Sequence, residues 1–328
     1  MLPPQAWAWG AICLALASAC QRRTEDLTQD LTRALEPAPA SAEANGPGGT
    51  SVDTPHVLQE LTWHFDNGPF GPTEVLIGLP EPRDPSARFP VLVAFHGRGE
   101  SLKGSRLGAR GWMDDYQLPK AISRLQAPPL EPADFERYVS EGRLERLNAA
   151  LHERGYGGLI VVCPFLPDVL HGDDGFAHAE PLASFIVDTL LPRVYAKTPA
   201  LGTAASTGID GVSLGGRAAL LVGLSRPLAF GSIGTLQAAL DASEVDRFAE
   251  LAANAFVQNA KLTLRLVTSD EDYYLDVNQK LSAALDDRAV PHALTEVVGT
   301  HSYRFNRGPG GLEMLLFHDR VLRGWATP

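Results

Sequence analysis

Cysteine is scarce in this chain: three in 328 residues, at Cys13, Cys20 and Cys163. Three scattered thiols cannot build a disulfide framework, and no Cys/His spacing resembles a zinc site. An excess of basic charge is also missing. Lys and Arg number 28 against 39 Asp and Glu, a formal charge of −11, so the chain has no basic patch to neutralise phosphates and nucleic acid is excluded as a partner. Beyond residue 19 no run approaches the ~20 apolar residues that span a bilayer, and no segment repeats at a solenoid period. What is there, 45% hydrophobic and 20% charged residues, is ordinary globular composition. A chain of this length is long enough for one large α/β core with appendages.

The first 19 residues carry no charged side chain and are almost wholly apolar over 6–16, which reads as a signal peptide. Leu16-Ala17-Ser18-Ala19-Cys20 looks like a bacterial lipobox, with Cys20 the lipid-bearing mature N-terminus, although Ala17-Ser18-Ala19 equally suits ordinary signal cleavage. Either reading puts the protein outside the cytoplasm, and the first anchors it to a membrane. Residues 20–55 are rich in Ala, Pro, Gly, Glu and Thr and cannot bury a core, so they form a tether. The catalytic domain is expected over 56–328.

Within that domain, strand and helix patterns alternate, the mark of a mostly parallel sheet flanked by helices. Segments 57–65 and 73–79 read as an antiparallel pair at the sheet edge. Phe89-Pro90-Val91-Leu92-Val93-Ala94-Phe95 is a continuous apolar run, as expected of a parallel strand buried on both faces. More chain separates Gly99 from Gly157 than one crossover needs, so residues 100–156 are expected to form a helical insertion, a candidate cap. Residues 158–165 give another buried strand, in which Cys163 is a structural thiol. The following loop carries His171, Asp173, Asp174 and His178, read as a solvated polar loop. No metal and no cofactor are expected.

The most informative stretch is Gly208-Ile209-Asp210-Gly211-Val212-Ser213-Leu214-Gly215-Gly216, a strand pattern that breaks at Ser213 into a helix pattern. A serine hydroxyl is a poor nucleophile unless it is presented on a tight strand-to-helix turn beside a general base. Such a turn crowds the residues two before and two after the serine, and here both are glycines. The base and its carboxylate partner follow downstream. His301 sits in Val298-Gly299-Thr300-His301 after a strand, whereas His292 and His318 fall in packing positions. The acid comes from Thr268-Ser269-Asp270-Glu271-Asp272; spacing from the strand end favours Asp272, with Asp270 the fallback and Asp276 a weaker candidate. Backbone N–H groups of Leu214 and of the His96-Gly97-Arg98-Gly99 loop, at Gly97 and Arg98, would hold an oxyanion.

Together His96-Gly97-Arg98-Gly99, Gly211-Val212-Ser213-Leu214-Gly215-Gly216, Asp272-Tyr273-Tyr274 with Asn278, and Gly299-Thr300-His301 resemble the esterase D-like α/β hydrolases, the group of feruloyl esterases, enterochelin esterase-like proteins and mycolyltransferases. The resemblance covers roughly residues 73–322. It implies an α/β-hydrolase fold and a triad of Ser213, Asp272 and His301. Gly299-Thr300-His301 stands where members often have Gly-Gly-His, and Asp210 is a charge in a strand that is usually apolar. The expected activity is serine carboxylic-ester hydrolysis of a small-molecule or carbohydrate-linked ester. A serine peptidase, an acyltransferase and a non-catalytic binding protein on the same fold stand as alternatives.

Overall fold

The computed structural model describes residues 58–81, 84–169 and 175–328. The expected signal segment, Cys20, the tether, and His171, Asp173 and Asp174 lie outside them. Eight strands form one sheet: β1 Leu58–Gly68, β2 Gly71–Pro80, β3 Val91–Phe95, β4 Ile160–Pro164, β5 Thr207–Gly211, β6 Ser232–Leu236, β7 Thr263–Glu271 and β8 Ala293–Thr300. Their order across the sheet is β1-β2-β4-β3-β5-β6-β7-β8. β1 and β2 pair antiparallel at one edge, β2 runs antiparallel to β4, and every pair from β4 to β8 is parallel. This is the expected α/β-hydrolase sheet.

Side chains on a strand alternate between faces, and the central strands are apolar on both because both are covered. Val91, Val93 and Phe95 point into one core layer while Leu92 and Ala94 point into the other. The first layer is closed by α3, which runs from Ala179–Ser184 through a π-helical turn into Leu191–Lys197, with α4 Leu214–Ser225, α5 Val245–Gln258 and α6 Leu275–Asp287. The second layer is closed by α1 Leu118–Gln126, α2 Glu141–Glu153 and the last helix, α7 Gly311–Val321. Among the described residues no helix is long and apolar enough to cross a membrane.

The helices of the inserted segment pack on one face of the sheet. Leu118, Ile122, Leu147 and Leu151 are buried against the sheet together with Leu312 and Leu315 of α7. Arg143 pairs with Glu313, and Arg320 donates to the Ala150 carbonyl at 3.1 Å, fastening α2 to α7. The physical reason is that the sheet face beneath needs more apolar cover than α7 alone supplies, so the amphipathic helices are used there. Each fully buried Leu contributes roughly 1.5–3 kcal/mol relative to exposure. Cys163 is buried in the same layer, and burial pushes its thiol pKa up, in keeping with a structural role.

Candidate active site

Ser213 is the second of the two residues between β5 and α4, with φ 57° and ψ −117°. A non-glycine residue at positive φ is strained and persists only where its surroundings hold it. They do so by backbone bonds: Ser213 N–H donates to Leu236 O at 2.8 Å, and Ala239 N–H donates to Ser213 O at 3.0 Å. The two flanking glycines are required by space. A Cβ on Gly211 would lie 2.3 Å from Gly215 O, and one on Gly215 would lie 2.4 Å from Phe95 O. Leu214 is the first residue of α4, and the first N–H groups of a helix have no partner within it.

The loop after β3 meets this turn. His96 is buried with its ring committed on both sides, Nδ1 against Gly97 O at 2.9 Å and Nε2 accepting from Leu166 N–H at 3.0 Å. Burial lowers its pKa to about 4, so it is a neutral, structural imidazole. One expected oxyanion donor is corrected here: Gly97 N–H is already spent, donating to Tyr116 Oη at 3.0 Å. The next amide, that of Arg98, opens the helical turn Arg98–Ser101 and has no partner within that turn. The Arg98 side chain pairs with Asp168, its Nε donating to Oδ2 at 2.8 Å.

The loops after β7 and β8 bring Asp272 and His301 together, with His301 Nδ1 2.8 Å from Asp272 Oδ1. Asp272 is held by Thr268 Oγ1 at 3.0 Å and by the Tyr274 N–H at 3.0 Å. A carboxylate on Nδ1 fixes the proton there and leaves Nε2 as the free base. Asp270 has another task, accepting the Gly299 N–H at 2.9 Å, and Asp276 is an exposed partner of Lys280. Gly299 has φ +145°, and a Cβ there would press within 2.9 Å of Tyr138. His292 is tied to Ser282 and Val290, and His318 is fully buried, so neither joins the site. Tyr273 and Tyr274 flank the His301 ring, with centroids 4.3 and 5.3 Å away.

Gln237 escaped the sequence reading. It also has positive φ, 48°. Its Nε2 donates to Ser269 Oγ at 2.5 Å and to Thr300 O at 3.2 Å. The turn 236–239 thus holds the Ser213 backbone on one side and the residue before His301 on the other. No pattern in the sequence marks a glutamine for that position; only the order of strands puts the end of β6 between them.

Comparison with known proteins bears on the family and the fold. Residues 173–305 match the family model described as "Putative esterase". The chain has the α/β-hydrolase fold, and this part of it is similar to that esterase family. Among solved structures, a ferulic acid esterase superposes with TM-score 0.60 at 15% identity, over 81% of this chain and 98% of its own. An S-formylglutathione hydrolase from Staphylococcus aureus gives 0.56 at 14% identity, over 80% and 99%. A fluorophosphonate-binding serine hydrolase from the same organism gives 0.57 at 12% identity, over 80% and 98%. At these identities the likeness speaks for the fold, while the family match over residues 173–305 supports a carboxylic-ester hydrolase by class. No curated protein matches the sequence.

Proposed function

We propose that this protein hydrolyses carboxylic esters through an acyl-enzyme on Ser213, with His301 as base and acid and Asp272 as its orienting carboxylate. The observation that carries the reading is the 2.8 Å contact between His301 Nδ1 and Asp272 Oδ1 on the loops after β7 and β8, in a sheet whose β5 ends in a serine turn at φ 57°. In acylation Ser213 Oγ bonds to the ester carbonyl carbon and its proton passes to His301 Nε2. The carbonyl π pair moves onto oxygen, facing the N–H groups of Leu214 and Arg98. Collapse of that oxyanion expels the alkoxide, which takes the proton from His301. Water then repeats the sequence on the acyl-enzyme and releases the acid. One oxyanion donor contributes about 3 kcal/mol to such a transition state.

The substrate is a small-molecule or carbohydrate-linked ester that reaches Ser213 beside Tyr273 and Tyr274. Among the fold neighbours, one was solved with ferulic acid and one with sinapinate, both aromatic acids. The enzyme acts outside the cytoplasm, held to a membrane by a lipid on Cys20. The test is turnover of short- and long-chain p-nitrophenyl esters by wild type, Ser213→Ala and His301→Ala. Activity that is high in wild type and lost in both variants supports the reading. Equal rates in all three would sink it in favour of a binding protein. Labelled-palmitate incorporation in wild type but not Cys20→Ala checks the anchor.

A further inference from the structure

Glu100 is a carboxylate in an unlikely place, 1% exposed at the end of the oxyanion loop. A buried carboxylate persists only when its oxygens are supplied with donors. Two tyrosines supply them from different parts of the chain. Tyr116 Oη donates to Glu100 Oε2, and Tyr303 Oη donates to Glu100 Oε1 at 2.5 Å. Lys103 Nζ stands 3.6 Å from Oε1. Burial and the neighbouring carboxylate push both phenol pKa values up, so each tyrosine stays a neutral donor.

Each tyrosine leads to a different part of the candidate site. Tyr116 Oη, while donating to Glu100, accepts the Gly97 N–H at 3.0 Å, one bond before the Arg98 amide. Tyr303 lies two residues after His301. The chain from Gly97 N–H through Tyr116 to the carboxylate is a series of bonds that polarise one another, and its last links are charge-assisted. Glycines make the room. A Cβ on Gly99 would sit 2.7 Å from Tyr303 Oη, and one on Gly111 would sit 2.5 Å from Glu100 Cγ.

We infer that Glu100, through Tyr116 and Tyr303, is a positioning residue that locks the oxyanion loop to the His301 loop. Neither tyrosine nor Glu100 takes part in bond making. Their part is to keep the Arg98 amide and the base in one fixed relation, since displacement of a catalytic group by about 1 Å can cost 100-fold in rate. The inference rests on the function proposed above.

The experiment measures kcat and KM for p-nitrophenyl acetate in wild type, Tyr116→Phe, Tyr303→Phe and Glu100→Gln. Alongside, it measures the inhibition constant of an aryl trifluoromethyl ketone, which adds to a serine as a tetrahedral oxyanion, and the melting temperature. We expect kcat to fall 10- to 100-fold, KM to stay within about twofold, and ketone affinity to fall in step with kcat. If Glu100→Gln does not fold, the two phenylalanine variants carry the test. Variants that melt earlier yet keep wild-type kcat and ketone affinity would reduce the cluster to a structural role and overturn the proposal. A loss confined to KM overturns it equally. A wild type that neither turns over ester nor binds the ketone overturns the proposed function, and this inference with it.

Discussion

Among the described residues, two Asp–His pairs with a fully buried aspartate side chain are of nearly equal length, 2.8 Å between Asp272 and His301 and 3.0 Å between Asp210 and His318. Their surroundings differ in every other respect. Asp272 and His301 stand on loops beyond β7 and β8, and the His301 side chain keeps 12% of its surface exposed. Asp210 and His318 lie between the sheet and α7 with no exposure at all. The second nitrogen of His318 is already engaged by Ser232 Oγ at 2.8 Å. The buried pair therefore has serine, histidine and aspartate in contact and still has no route for a substrate. What would let the first pair serve as the proposed catalytic dyad, and bars the second, is an unengaged ring nitrogen on a partly exposed histidine.

The buried pair belongs to a larger network. Arg265 donates to Asp210 Oδ2 at 3.4 Å and to the Glu313 carbonyl at 2.9 Å, and Glu313 in turn receives Arg143. Room for it is cut into the strands, because a Cβ on Gly234 would lie 2.0 Å from Asp210 Oδ2 and one on Gly208 would lie 2.4 Å from His318 Nδ1. Since Asp210 is three residues before Ser213, the network also braces the strand that carries the elbow.

The comparison can be broken in order of effect. Ser213→Ala or His301→Ala should lower kcat by about 10⁴ to 10⁶ while leaving the melting temperature near wild type; steady-state kinetics with thermal unfolding of the same samples checks both halves. Asp210→Ala should do the reverse, costing about 3–5 kcal/mol of stability by stranding Arg265 and His318, read from the urea midpoint, and reducing activity only through the folded fraction. Substitutions at the two pairs that behaved alike would refute the division.

Acid should act through the buried imidazoles. Burial lowers the pKa of His318, and that of His96 to about 4 from 6.5. As pH falls below about 6.5 the unfolded chain binds protons that the native one refuses, so stability declines, by about 3 kcal/mol from His96 alone by pH 4. Urea unfolding at pH 7.5, 6 and 4.5 should show the decline, and a flat response would count against it. The smallest effect is expected at the elbow itself. Ser213→Gly, unlike Ser213→Ala, relieves the positive φ and should raise stability by about 1 kcal/mol in an inactive protein.

The local signals carried a long way. Glycines two before and two after Ser213, apolar runs at β3 and β4, and a histidine in a glycine-led loop after a strand are short-range requirements of backbone and solvent, so they are written in adjacent residues. For the same reason His318, in an amphipathic helix, was legible as packing. Tertiary structure decided whatever depended on residues distant in the chain. It gave Asp272 rather than Asp270 to His301, because β7 and β8 pair in a register that turns Asp270 toward the Gly299 N–H. It spent the Gly97 amide on Tyr116, nineteen residues away, and turned the inserted helices into a covering layer for the sheet. It also gave Asp210, an anomaly in an apolar strand, a partner 108 positions on. Hydrogen-bond partners and burial follow from which strands become neighbours, and that order is fixed only when the whole sheet closes.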